Sequence, residues 1–476
     1  MTWLVALLPT DGDHLRRSLV MVALLGVLSK LALGMLVFSS NPQGIFESSD
    51  SHEYHQLALN ILRHGSFSQS LSPPLEPETI RTPAYPFLLS GLYHVVGIRP
   101  QAMVAIQIAL SVVTMLAGCR IASLIFGSRA GLLTAIFLAL DPVSLYYSQV
   151  MLTETLFGTV LTLSLLGMLY AVRHPSIRYP CWAGFCLALA AYTRPTGSYL
   201  GMLLPVMLSL AIRRSKGWRP ALASAAVMWL LFAVMVGGWQ LRNYVSTGSA
   251  QFSQAKNQYL FIAKAAAIIA MRDGISLQEA QQRLAQEHAA LHPPDLPRPS
   301  PTQLLESQGR FAQAVVAAHP VLLVRTTLQG TAANLLGPSN LAHLFGSDNV
   351  ALREAFVRQN FARFPLLDWI TALSSWTSGL LFLGVLYTGV WILIKHNRIG
   401  NRDIAVLVLT ATYVILVSSG PEAYSRFRMP VMPIFCILAA GGYLCRVESR
   451  FGEREGGGEI ALRDRPEVGL AARRIS

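Results

Sequence analysis

Charge is scarce in this chain. Asp, Glu, Lys and Arg together make up 13% of its 476 residues, where ordinary soluble proteins carry about 25%. So few charges cannot cover a large soluble body, and a hydrophobic fraction of 53% points the same way. Acidic residues are the scarcer sign, 25 against 38 basic ones, which leaves a net charge of +13. Cysteine is scarce as well. Cys119, Cys181, Cys186, Cys436 and Cys445 lie in apolar stretches with no CxxC pair, so they read as small apolar residues and indicate neither a disulfide scaffold nor a zinc site. There is no internal repeat, which removes support for inverted-repeat transporter architecture. Disorder of the chain as a whole and collagen are excluded by composition. An all-α, polytopic membrane protein remains.

A helix rises 1.5 Å per residue, so crossing roughly 30 Å of hydrocarbon takes about 20 mostly apolar residues. Candidate spans are 18–38, 100–126, 130–147, 150–172, 196–212, 220–240, 369–394, 403–419 and 431–446, with shorter ambiguous runs at 85–98 and 181–193. Arg16 and Arg17 flank the first run and no small-residue cleavage site follows it, the pattern of an anchor rather than a signal peptide. If 181–193 crosses and 85–98 lies on the surface, Arg129, Arg173, Arg178, Arg213, Arg214, Lys216, Arg219, Lys395, Arg398, Arg402 and the Arg446–Arg450 end join Arg16 and Arg17 on the cytoplasmic side. That arrangement gives about ten transmembrane helices with both termini cytoplasmic. It divides the chain into an N-terminal membrane module (1–240) with an outer loop at 39–84, an outer region (241–368), C-terminal spans (369–446) and a polar, Gly-rich tail (447–476) expected to be disordered. Span parity requires the amphipathic run 303–336 to lie along the outer surface. Much of the basic surplus then sets orientation, and no nucleic acid is called for.

The first outer loop holds the chemistry-bearing residues. Tyr54, Leu57, Ala58, Ile61 and Leu62 recur at helical spacing, and Gly65 is a natural stop. Asp50 stands at the start of this helix with Glu53 three residues on, which on local sequence reads first as a capping-box variant, with a catalytic carboxylate as the other reading. His52-Glu53 with His55 suggests a divalent metal, but a zincin pair needs histidine at 56, where Gln56 stands. Glu154 opens a span, where an acidic group either serves a site or offsets the helix dipole. Arg81, Arg194, Arg242, Arg426 and Arg428 fall at outer membrane ends, where arginines bind phosphate or snorkel to headgroups. Tyr85 and Tyr424 are candidates for a phosphate or sugar contact or for the interfacial aromatic belt. Asp141-Pro142 reads as a helix-ending turn.

Taken in order, these motifs resemble a known family. An acidic residue follows the first span; a helix Asp50-x-x-x-Tyr54-x-x-x-Ala58 ends in glycine; Arg81-Thr-Pro-Ala-Tyr-Pro86 follows some thirty residues on. Thr153-Glu-Thr-Leu-Phe157, Thr193-Arg-Pro-Thr196, Arg242-Asn-Tyr-Val-Ser-Thr-Gly248 and Arg426-Phe-Arg-Met-Pro430 complete the series. The order resembles the GT-C membrane glycosyltransferases, close to the protein O-mannosyltransferase and aminoarabinose-transferase group, from about residue 18 to 445. The resemblance implies inverting transfer of a sugar from a polyprenyl-phosphate donor to a lipid, glycan or protein hydroxyl on the outer face of a plasma membrane. It implies Asp50 as general base and Arg81 as a phosphate ligand. Arg194, Arg242, Arg426, Arg428 and Tyr85 are expected around the donor phosphate, with Glu154, Glu53 and His52 in the same cavity. Some relatives carry an acidic pair where this chain has Asp50 alone, with Glu47 and Glu53 near but not adjacent, so no metal is assigned. The rival readings are a transporter or flippase of lipid-linked sugars, which predicts mid-membrane charges and a repeat, and a non-catalytic envelope-assembly scaffold.

Overall fold

Lipid offers no partner to a backbone N–H or C=O, so apolar runs in a bilayer fold as helices that satisfy these groups internally. The computed structural model describes residues 8, 12–46, 48–291, 299–337, 344, 365–396 and 401–456, and among these no strand forms. In chain order the helices are α1 (Gly12–Ser40), α2 (Ser49–His64), α3 (Ala84–Val96), α4 (Ala102–Phe126), α5 (Ser128–Leu140), α6 (Pro142–Tyr147), α7 (Glu154–Arg173), α8 (Arg178–Thr193), α9 (Gly197–Lys216) and α10 (Trp218–Thr247). They continue with α11 (Ala255–Tyr259), a π turn (Leu260–Ala265), α12 (Ala266–Asp273), α13 (Leu277–Ala289), α14 (Pro301–Ala318), α15 (Pro320–Leu336), α16 (Leu366–Lys395), α17 (Arg402–Val417), a 3-10 turn (Ser425–Val431) and α18 (Met432–Gly456).

Among the described residues, six segments are long and apolar enough to cross a membrane: α1, α4, α7, α10, α16 and the run Ser425–Ser449. The other expected crossings are shorter or polar at one end. The run 130–147 is not one helix: α5 stops after 13 residues at Asp141, whose carboxylate accepts from the amides of Val143 and Ser144 and so starts α6. Helices α8 and α17 have 16 residues each, and α9 ends in Arg213, Arg214 and Lys216. All are packed against the longer helices, α8 between α7 and α10, α9 on α10, and α5 against α4 and α18. Helix α3, at 13 residues, is too short to span alone and packs on α2. The run 303–336 breaks at His319 into α14 and α15, bent by 100°, so it forms no straight span. The Pro-rich stretch 292–298, Glu47, Arg398 and residues 457–476 lie outside the described residues.

One face of α1 exposes Val20, Leu24, Leu28, Leu31 and Met35, an apolar surface suited to lipid. Its opposite side carries a lysine. Lys30 is buried, and its Nζ donates to Ser144 Oγ at 2.9 Å, while its own carbonyl accepts from Gln149 Nε2 at 3.1 Å. Small residues let the last helices close up: α16 and α18 cross where an added Cβ on Gly442 would stand 1.9 Å from the carbonyl oxygen of Gly389. The largest core cluster runs through α4, α5, α7–α10 and α16–α18. A second, rich in tyrosine, joins α2, α3 and α6 at one end of the bundle. That end holds the site. The other end is basic, with Arg173 Nη2 paired to Asp403 Oδ2 at 2.7 Å; the 20 residues of α7 separate Glu154 from Arg173 by about 30 Å.

Candidate functional site

Helix α2 forms where the apolar stripe predicts and ends at Gly65, whose φ of 63° favours glycine. Its start differs from the capping expectation. Ser48 is the N-cap, with no side-chain cap bond, and Asp50 lies inside the first turn. Both carboxylate oxygens of Asp50 are taken by arginines instead: Oδ1 accepts from Arg81 Nη2 at 2.6 Å and Oδ2 from Arg426 Nη2 at 2.8 Å. Glu53, one turn later, accepts from Arg81 Nε at 2.6 Å and from Gln69 at 3.2 Å.

Arg426 continues the chain of charges. Its Nε donates to Glu154 Oε1, which also accepts from Arg194 Nη1. Arg194 in turn reaches Thr153 Oγ1 at 3.2 Å. The elements explain the meeting: Glu154 is the first residue of α7, Arg194 follows the last residue of α8, Arg81 precedes α3, and Arg426 sits in the 3-10 turn before α18. Each lies at a helix end on the same side of the bundle. Close packing of that turn against α7 depends on Gly158, where a Cβ would sit 3.2 Å from Pro430 Cα.

A cavity of about 350 Å³ opens onto this network. Asp50, Tyr54, Arg81, Arg194 and Arg426 line it together with Lys256, Tyr259, Lys264 and Glu422. Its volume falls within the range of small-ligand sites. Burial pushes the Asp50 carboxyl up, but Arg426 and Arg81 outweigh it and hold the group below its usual 3.8, so it is ionised. Each oxygen uses one lone pair on an arginine and keeps another. Burial raises the Tyr54 phenol to about 12, leaving it a neutral donor.

Not every sequence-expected residue reaches the cavity wall. Glu154 is fully buried behind Arg194 and Arg426, and Glu53 stands behind Arg81. His52 stacks on Phe46 with centroids 4.9 Å apart. Tyr85 is buried in the tyrosine cluster, donating to Gln107 Oε1 at 3.0 Å. Arg242 donates to the Glu78 carbonyl at 2.9 Å and covers the Trp239 ring. Arg428 is buried two residues past Arg426 and donates to the carbonyls of Asn334, Leu335 and Gly337, holding the end of α15. These last three brace the fold around the site. Among the described residues no group of three His, Cys, Asp or Glu forms a metal-binding cluster; arginines bridge the carboxylates. Lys256, Lys264 and Glu422 were not singled out by the sequence reading. Lys256, Tyr259, Leu260 and Lys264 recur at helical spacing, a signal readable beforehand.

A family model for dolichyl-phosphate-mannose-protein mannosyltransferases matches residues 80–239. The matched stretch holds Arg81, Glu154 and Arg194 and stops short of Asp50 and Arg426. No curated protein matches the chain in sequence. Among solved structures, the archaeal oligosaccharyltransferase AglB from Archaeoglobus fulgidus, in complex with an inhibitory peptide and a dolichol-phosphate, is similar over 94% of this chain and 52% of its own, with 13% identity and a TM-score of 0.50. The apo form of the Archaeoglobus fulgidus oligosaccharyltransferase gives 94% and 53%, 13% and 0.52. ArnT from Cupriavidus metallidurans bound to undecaprenyl phosphate gives 93% and 82%, 14% and 0.41. The chain thus spans about half the length of the oligosaccharyltransferase chains it matches. It has the all-helical, multi-pass fold of the GT-C membrane glycosyltransferases that its motif order resembles.

Proposed function

We propose that the protein is an inverting membrane glycosyltransferase that takes a sugar from a polyprenyl-phosphate donor. The observation that carries this reading is an ionised Asp50 on the wall of a cavity it shares with arginines and lysines. Inversion needs a carboxylate on the sugar face opposite the leaving group. Asp50 takes the proton of the acceptor hydroxyl; the acceptor oxygen bonds to the anomeric carbon as the carbon–oxygen bond to phosphate breaks, and the electron pair leaves on the phosphate. Cations stabilise that departing charge. The donor fits the membrane setting, because the cavity opens at helix ends where a lipid phosphate resides. The acceptor is a lipid, glycan or protein hydroxyl. The site faces the outside of a plasma membrane, with both termini in the cytoplasm, since this orientation puts the basic turns inside.

The test uses the purified full-length protein in lipid nanodiscs with polyprenyl-phosphate sugars. Asp50→Asn is expected to cut transfer by about 10²–10⁴-fold, the usual contribution of a positioned base, while donor binding persists. Full activity in Asp50→Asn overturns the base assignment. Uptake of lipid-linked sugar into sealed vesicles without glycosyl transfer favours a transporter instead. Mass spectrometry of envelope glycans and lipids from a deletion strain identifies the acceptor by the mass increment that disappears.

A further inference from the structure

The charges around the cavity fall into two groups. Glu53, Arg81, Asp50, Arg426, Glu154 and Arg194 form one alternating chain of ion pairs, with as many carboxylates as guanidinium groups and no net charge. Lys256 and Lys264 stand apart. Both line the cavity, and neither makes an ion pair among the described residues. They project from one face of the segment α11–π turn: Lys256, Tyr259, Leu260 and Lys264, offset by three, four and eight residues, all line the same cavity. A π turn adds a residue to a helical turn and is common at functional sites. The acid near Lys264 is Glu422, whose Oε2 is buried without a hydrogen-bond partner. Its burial pushes the carboxyl up, against the pull of Lys264.

In-line inversion separates base from leaving group. In inverting glycosidases the two catalytic groups stand about 6.5–9.5 Å apart, on opposite faces of the sugar. Arg81 and Arg426 are fixed to the oxygens of Asp50 at 2.6 and 2.8 Å, so they occupy the base side. A phosphodiester carries one negative charge, and the monoester that departs carries about −1.5 to −2 at neutral pH. The cations best able to meet this growing charge are those of the cavity wall not already tied to carboxylates. We infer that Lys256 and Lys264 hold the donor phosphate and take up its growing charge, while Arg81 and Arg426 are positioning residues for the base. This assignment rests on the glycosyltransferase reading and replaces the sequence expectation that placed Arg81 and Arg426 on the phosphate.

The experiment measures binding of undecaprenyl phosphate, undecaprenol and phosphatidylglycerol to the full chain in detergent, alongside transfer in nanodiscs. Lys256→Gln/Lys264→Gln is expected to weaken undecaprenyl phosphate binding by about tenfold or more, the loss of a charge-assisted hydrogen bond, with undecaprenol unaffected and transfer reduced further. Lys256→Arg/Lys264→Arg keeps most of the affinity and shows that the fold tolerates change there; a thermal melt confirms both variants. Unaltered undecaprenyl phosphate affinity in the glutamine variant overturns the lysine assignment and leaves the glycosyltransferase reading standing. Equal loss of phosphatidylglycerol binding with normal transfer overturns it too, by making the lysines a general headgroup contact. A wild-type chain with no preference for undecaprenyl phosphate over undecaprenol, and no transfer, overturns both readings.

Discussion

Asp50 owes its ionised state to Arg81 and Arg426, so the two arginines govern the pH range in which it can accept a proton. A carboxyl held below its usual value contributes stability that is complete above the unfolded pKa and fades as pH falls through the lower folded value. For Asp50 that loss lies below pH 3.8. Removing Arg81 takes away one of the two main influences that lower it, while burial, which raises it, remains. Arg81→Gln is therefore expected to move the acid limb of the pH–rate profile upward, toward the ordinary carboxylate range or beyond. The profile of transfer rate against pH, measured for wild type and variant, checks this; an unmoved acid limb would show that Arg81 does not tune the base. Glu154 is bound differently. It is fully buried, and only its Oε1 is engaged, by both Arg194 and Arg426, so it acts through those arginines rather than at the cavity wall.

At the scale of elements, much was readable in advance, and the failures share a cause. Periodicity and Gly65 located α2, and the apolar runs located α1, α4, α7, α10 and α16. Local sequence could not show that Asp50 would leave the capping pattern, because Arg426 is 376 residues away and tertiary contact decides. The Asp141-Pro142 turn was legible as the place where the run 130–147 divides, but hydropathy did not register that its carboxylate caps the next helix. Arg242 and Arg428 looked like phosphate ligands for the same reason: their membrane depth was right, and their carbonyl partners were invisible. Helix contact brings its own prediction. At the α16–α18 crossing a Cβ on Gly442 would overlap the Gly389 carbonyl, and backbone on both sides leaves no flexible group to yield. Gly442→Val is expected to cost about 1–3 kcal/mol or more through overpacking, seen as a lower melting temperature in detergent, while Gly384→Ala, with no neighbour within 4 Å, stays near wild type.

For the whole molecule, the two ends differ in charge chemistry. The end bearing Asp50 gathers carboxylates and arginines into ion pairs, whereas the far end carries Arg213, Arg214 and Lys216 on α9 and Arg173 on α7. The proposed orientation places the first end outside. In a cysteine-free background, Leu71→Cys, at a position 89% exposed, is expected to react with a membrane-impermeant maleimide on intact cells. Trp218→Cys, 51% exposed at the start of α10, reacts only after the cells are opened. The reverse pattern would invert the topology and with it the location of the site.

The 3-10 turn Ser425–Val431 is a shared mount. From one short buried stretch, Arg426 aims the carboxylate of Asp50, and Arg428 grips the last carbonyls of α15. Only Phe427 separates Arg426 from Arg428, so a displacement of the end of α15 is expected to shift the base. Alignment of the base and the seating of α15 thus answer to one lever.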